Sequence, residues 1–142
     1  MTQVTPDIVM GFDFGERRMG VATGQTITRS ANPLTTLHAV DNHPDWVTIE
    51  KLIGEWLPGA LVVGIPAHLD GSASDMSKKA ERFCRQLEGR FHLPVHRINE
   101  SLTSFEAEQH LREKRKSTQH NKQEIDRMAA AIILQSWLDQ LP

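Results

Sequence analysis

Short apolar runs bounded by turn residues alternate along this chain with stretches of helical spacing. Residues 8–13, Ile-Val-Met-Gly-Phe-Asp, read as a strand, and residues 18–24 as a second that returns after a turn at Gly15. Residues 26–38 alternate small and apolar side chains around Pro33. Proline removes a ladder donor, so this third strand belongs at a sheet edge. Asp45 is placed to cap a helix whose apolar positions are Trp46, Ile49, Leu52, Ile53, Trp56 and Leu57, with Pro58-Gly59 stopping it. Residues 60–65, Ala-Leu-Val-Val-Gly-Ile, are apolar throughout, as a central strand buried on both faces requires. Pro66 ends that run, and Asp70-Gly71-Ser72 forms a turn.

From Ser74 the spacing is helical again, with Met76, Ala80, Phe83, Cys84, Leu87 and Phe91 towards the core and Lys78, Lys79, Arg82 and Arg85 largely off it. Residues 94–98 form a short strand that ends before Glu100. Ser104 can cap a helix carrying Phe105, Ala107 and Leu111. Residues 112–123 are polar and basic, a loop or frayed helix end, and Ile125, Met128, Ala129, Ile132, Ile133 and Trp137 mark a last helix. The order is three strands, helix, strand, helix, strand, helix, helix. A strand returning after each of two helices pairs parallel to its neighbour through a right-handed crossover, and the opening meander is antiparallel. The expected fold is α/β, a mixed five-stranded sheet flanked by helices.

A length of 142 residues fits one domain, 1–142, with a core of its own. The formal net charge of −2 argues against tight nonspecific nucleic-acid binding but leaves room for a local basic face. The single cysteine, Cys84, excludes an intramolecular disulfide and a cysteine-based zinc site, and its helical setting makes it a buried small hydrophobe. The opening residues carry no secretory pattern, and no apolar run approaches a membrane span, so the expected location is cytoplasmic.

Three acids stand at element boundaries. Asp13 ends the first strand, where an ionised, unpaired carboxylate would cost several kcal/mol. Glu100 follows the strand at 94–98, and Asp126 falls in the first turn of the last helix. Three such acids brought together can hold divalent cations through oxygen. Each has an ordinary explanation too. Asp-x-Gly is a common turn, and an acid at a helix start gains under about 1 kcal/mol from the dipole. Asp126 lies beside the apolar stripe, which places the functional reading level with the ordinary one.

The loop after a central strand is where open sheets place ligands, here Gly64-Ile65-Pro66 followed by Asp70-Gly71 and Ser74. Ser74 and the basic residues Lys78, Lys79 and Arg82 could hold a phosphate at the start of the helix, although a basic helix face is ordinarily just solvated. The histidines show no metal-ligand spacing, and His68 alone lies beside this loop.

Together these motifs resemble the YqgF/RuvX family of RNase H-like fold, bacterial proteins described as Holliday junction resolvases and as nucleases that mature the 5′ end of 16S rRNA. The resemblance rests on Phe12-Asp13-Phe14-Gly15 with Met19-Gly20-Val21-Ala22, on Val63-Gly64-Ile65-Pro66 with Asp70-Gly71, on Glu100 within Asn99-Glu100-Ser101-Leu102-Thr103-Ser104, and on Asp126 before Ala129-Ala130-Ala131-Ile132-Ile133. Each motif alone is weak, but four in this order are specific. Asn99 replaces the family's usual acid and Ser101 its usual arginine, so one charge beside the site is lost, and Arg112, Lys114, Arg115, Lys116 and Lys122 can compensate in holding phosphates.

The resemblance implies a hydrolase, a two-metal nuclease with Mg²⁺ or Mn²⁺ ions roughly 3.5–4 Å apart on the scissile phosphate. Asp13 would bridge the metals, and Glu100 and Asp126 would complete their shells. Gly15, Pro66, Asp70, Ser74, Lys78, Arg115, Lys116 and Lys122 would bind substrate. The implied role is rRNA processing in ribosome biogenesis. Junction cleavage in DNA recombination or a noncatalytic nucleic-acid-binding module are the alternatives. Asp-x-Gly also opens the phosphate loop of actin-like ATPases, but those enzymes close two such subdomains on ATP and this chain has room for one. The implied partners are nucleic acid, either precursor rRNA or branched DNA, and ribosomal particles, with no membrane. A monomer would suffice for trimming one RNA end, whereas symmetric junction cleavage calls for a homodimer, here a weak one.

Overall fold

The computed structural model describes residues 7–66, 75–99 and 122–142. Within them lie the strands β1 (Ile8–Asp13), β2 (Arg18–Gln25), β3 (Ser30–His38), β4 (Ala60–Ile65) and β5 (Val95–Asn99), and the helices α1 (Trp46–Trp56), α2 (Asp75–Phe91) and α3 (Lys122–Asp139). The strands form one sheet in the order β3-β2-β1-β4-β5. β1 pairs antiparallel with β2 and parallel with β4, and β4 pairs parallel with β5. This is the mixed sheet that the sequence predicts. β3 is an edge, where Pro33 is tolerated, and the register shifts between Val21 and Ala22, opposite the proline.

Strand alternation sorts the core into two layers. On one face Met10, Phe12, Val21, Leu61 and Val63 pack against Ile49 of α1 and Phe83, Cys84 and Leu87 of α2. On the other, Val9, Ala22, Ala60, Val62 and Ile98 pack against Ala130, Ala131, Ile133, Leu134 and Leu138 of α3. β4 feeds both layers, which explains its unbroken apolar run. The second layer is made largely of small residues, so α3 lies close to the backbone of β1 and β2.

Both ends of α3 are tied to the sheet. The Thr36 hydroxyl of β3 donates to the Gln123 carbonyl in its first turn. Near the far end, Gln135 accepts from Ala31 N at 3.0 Å and donates to Arg29 O at 2.7 Å.

Four boundaries depart from the sequence reading. Residues 26–29 are a hairpin turn and not part of β3; Arg29 has positive φ, and Ile27 is 82 % exposed. Leu57 is no part of the α1 stripe. It is a left-handed C-cap whose N–H bonds to Ile53 O, and it is exposed. In α2 Ser77 is buried, whereas Met76 is only partly so. α3 begins at Lys122, so residues 122 and 123 are helical and Asp126 is the fifth helical residue, beyond the first turn. Its buried positions include Ala130, Ala131, Leu134 and Leu138, a stripe that periodicity does not reveal because residues 128–134 are apolar all round.

Candidate active site

Asp13 is the last residue of β1, and alternation places it on the α3 face, after Val9 and Gly11. A Cβ on Gly11 would press on Leu134 of α3, which fixes that assignment. Directly opposite Asp13 across the antiparallel pair is Gly20 of β2. The space over Gly20 is filled by the backbone of α3, since a Cβ there would overlap the Asp126 carbonyl and lie 2.9 Å from Arg127 N. Asp13 and Asp126 are thus brought to the same end and the same face of the sheet, one as the cross-strand partner of Gly20 and the other stacked upon it.

The Asp126 carboxylate is oriented by Arg18, whose Nε donates to Oδ2 at 2.8 Å. Arg18 opens β2 two residues before Gly20 and so faces α3 as Gly20 does. The pair is half-buried, with the side chains 31 % and 22 % exposed, so the bond is less screened than a surface ion pair. The dipole explanation of Asp126 weakens accordingly, because that effect fades beyond the first turn, where Glu124 stands instead. The sequence alone does not single out Arg18. Its parity with Gly20 on the strand after the Asp-x-Gly turn is the available signal.

Gly15 has a local reason to be glycine, because a Cβ would run into the Arg18 carbonyl as the chain turns from β1 into β2. Pro66 follows β4, the parallel neighbour of β1. Lys78 is exposed on α2. Glu100, Asp70, Ser74, Arg115 and Lys116 lie outside the described residues, as do His68 and the helix expected after Ser104. Lys122 is seen as the first helical residue of α3. Among the described residues no three His, Cys, Asp or Glu side chains stand together as a metal site. Of the three acids singled out in the sequence, the described residues include two, Asp13 and Asp126.

On the opposite face, Arg97 of β5 bonds Glu81 at 3.1 Å and Glu88 at 3.0 Å above the buried Cys84. The Arg97 hydrogen bond holds the Glu88 carboxyl below the usual carboxylate range, and burial pushes the Cys84 thiol up to about 12. Cys84 is an inert core residue, as its sequence setting implies.

No described helix is long and apolar enough to cross a membrane. The fold is similar to that of Thermus thermophilus RuvC, solved in complex with a Holliday junction substrate, with a TM-score of 0.56, 14 % identity and 92 % of each chain covered. It is also similar to the fowlpox virus resolvase, with a TM-score of 0.55, 10 % identity, and 93 % of this chain and 97 % of that one covered. At such identities the likeness shows the RNase H-like fold alone. In sequence, the chain is 45 % identical over 137 residues to an Azotobacter vinelandii protein named "Putative pre-16S rRNA nuclease", covering 96 % of each. A Pseudomonas putida protein of the same name is 47 % identical over 133 residues, with 93 % of this chain and 94 % of the relative covered. The family model described as "RuvX: Holliday junction resolvase" matches residues 7–140, and with relatives this similar over nearly their whole length the chain belongs to the RuvX family.

Proposed function

We propose that this protein is a nuclease that hydrolyses phosphodiester bonds in structured nucleic acid with the help of divalent metal, and that its role is to mature the 5′ end of precursor 16S rRNA. The observation that supports the reading is that Asp13 stands opposite Gly20 while the backbone of Asp126 packs over it, both at the carboxyl end of β1. The names of the sequence relatives support the substrate. Glu100, the residue after β5 in the sequence, is the proposed third acid, on the strength of the family resemblance. Asp13, Glu100 and Asp126 would hold Mg²⁺ or Mn²⁺. Once bound, such ions activate an attacking water and stabilise the leaving oxygen.

The protein's own part is positioning. The sheet holds Asp13 rigid, Gly20 sets how near α3 can come, and Arg18 fixes one oxygen of Asp126. Arg18 also puts a guanidinium beside the site, where a phosphate oxygen could take it up. The substrate residues proposed besides are Gly15, Pro66, Asp70, Ser74, Lys78, Arg115, Lys116 and Lys122. A second reading, cleavage of four-way DNA junctions, is favoured by the description of the family itself. It calls for a two-fold dimer, and the RNA reading does not.

The test is a cleavage assay offering precursor 16S rRNA and a four-way junction, each with Mg²⁺ and with Mn²⁺, beside Asp13→Asn. The wild type should cut the RNA and the variant should not. Removing one of several neighbouring carboxylates relieves repulsion, so Asp13→Asn should melt at or above the wild-type temperature. Mn²⁺ at a hundred times its dissociation constant should stabilise the wild type by about 2.7 kcal/mol and the variant far less. Wild-type cleavage by Asp13→Asn, or a wild-type melting temperature indifferent to both metals, would sink the proposal.

A further inference from the structure

At the same end of the sheet, on the face away from α3, lies a groove of about 480 Å³. It runs between the β1–β2 turn, with Phe14, Glu16 and Arg17, the segment before α1, with His43, and the side of α2 that carries Lys79 and Arg82. We propose that this groove holds backbone phosphates of the nucleic-acid strand flanking the cut, as that strand passes over the β1–β2 turn from the α3 face to the α2 face. This deepens the nuclease reading above and rests on it for the identity of the ligand.

Charge sorting along α2 is the first argument. Lys79, Arg82, Gln86 and Arg90 recur at helical spacing on one side, with Arg90 stacked 4.1 Å over the Trp46 ring at the start of α1. Of the acids of α2, Glu81 and Glu88 are turned to the other side, where Arg97 binds both. Asp75 stands one turn before Lys79, at the end of the basic stripe and outside the groove lining. From Lys79 to Arg90 the stripe rises about 16 Å at 1.5 Å per residue. A strand of nucleic acid rising about 3.4 Å per phosphate would lay four or five charges along it.

Among the described residues, the only acid in the lining is Glu16, held by Lys79 Nζ at 2.7 Å in a contact about half exposed on both sides. Such a surface pair contributes little, so a phosphate can replace the carboxylate on Lys79 at small cost. Asp45 borders an adjoining pocket, but its carboxylate already accepts from Thr48 N and Oγ1 as the α1 cap. Among the described residues, no carboxylate engages Arg17 or Arg82.

Continuity with the cleavage site is the second argument. Asp13 and Phe14 are consecutive and face opposite layers, Phe14 packing on Phe83 at 5.3 Å between ring centroids. A small pocket of about 40 Å³ shares Phe14, Glu16 and His43 with the groove and reaches Gly15 and Arg18, the residue that holds Asp126. The turn is therefore the shortest bridge between the acids and the basic stripe.

The test uses the full chain carrying Asp13→Asn, so that bound nucleic acid is not cut, with fluorescein-labelled single-stranded RNA read by anisotropy over a salt series. Adding Arg17→Ala and Arg82→Ala together should weaken binding about tenfold and make the slope of log K against log salt shallower by about 1.4, or 0.7 for each phosphate no longer neutralised. Arg85→Ala, on α2 but outside the groove lining, should leave the slope unchanged. An unchanged slope in the double variant, with the melting temperature of its parent, overturns the proposal, as does failure of the parent to bind RNA. A shallower slope in a protein whose wild type cuts nothing would keep the groove and discard the nuclease reading. Cleavage by the wild type with an unchanged slope would do the reverse.

Discussion

Gly20→Ala adds one methyl group at the point where Asp13, Asp126 and the backbone of α3 meet. Non-bonded heavy atoms settle at about 3.5–4.0 Å, and the new Cβ would overlap the Asp126 carbonyl, so the start of α3 must retreat by more than about 1 Å. The obstacle is main chain, which has no rotamer to give. The helix end is also tied to Thr36 through Gln123 and to Arg18 through Asp126, so retreat strains or breaks both links. Overpacking ordinarily costs about 1–3 kcal/mol, and a clash with backbone belongs at the top of that range. For a chain of this length about 3 kcal/mol lowers the melting temperature by roughly 6–12 °C. The functional loss should be larger than the stability loss implies, because misplacing a reacting group by about 1 Å costs on the order of a hundredfold in rate. Urea denaturation, Mn²⁺ calorimetry and the cleavage assay measure the three consequences separately. A variant within about 2 °C of wild type that binds Mn²⁺ and cuts normally would refute the close-approach argument and, with it, the pairing of the two acids.

Arg18→Ala frees the Asp126 oxygen from a charge-assisted hydrogen bond, the kind worth about 1.5–3 kcal/mol, so calorimetry should show Mn²⁺ binding tightened by about tenfold; weaker binding would mean that orientation outweighs competition. The Cys84 thiol should resist alkylation at pH 8 in the folded protein and react at once in urea, because burial keeps it protonated; fast native labelling would show the core to be open. Glu88 has a folded-state pKa below its unfolded one, so its contribution is present above the ordinary carboxylate value of about 4.3 and disappears as pH falls through the lowered value. Glu88→Gln should therefore flatten the stability profile below about pH 5, modestly because the side chain is 43 % exposed, and an unaltered profile would show that the Arg97 bond does not persist in solution.

The mixed sheet and the edge position of β3 are legible in the sequence because Pro33, the Gly15 turn and the unbroken run of β4 each permit few arrangements. Asp13 is legible for the same reason, as an acid closing a buried strand. Arg18 and Gly20 are not, because their meaning lies in contacts with a helix more than a hundred residues away. Asp126 sits two residues further into its helix than the sequence suggests, because the polar residues Lys122 and Gln123 read as loop and hide the start of α3. The core stripe of α3 is blurred by its apolar sequence on every side. Leu57 passes for a stripe residue because periodicity cannot reveal a left-handed cap. The basic residues of α2 resemble a solvated face until Glu81 and Glu88 are seen to turn away from them towards Arg97.

α3 follows every strand of the sheet in the chain, yet among the described residues it supplies the helical side of one core layer, and Asp126 with it. During synthesis all five strands emerge before the helix that covers them. Until it arrives, Val9, Ala22, Ala60, Val62 and Ile98 lack the cover that α3 gives them. The nascent chain then exposes an apolar face, and the docking of α3 that hides it also brings Asp126 over Gly20, opposite which Asp13 stands. On the nuclease reading, activity would be timed by the order of translation, and a chain without α3 would not cut nucleic acid around it.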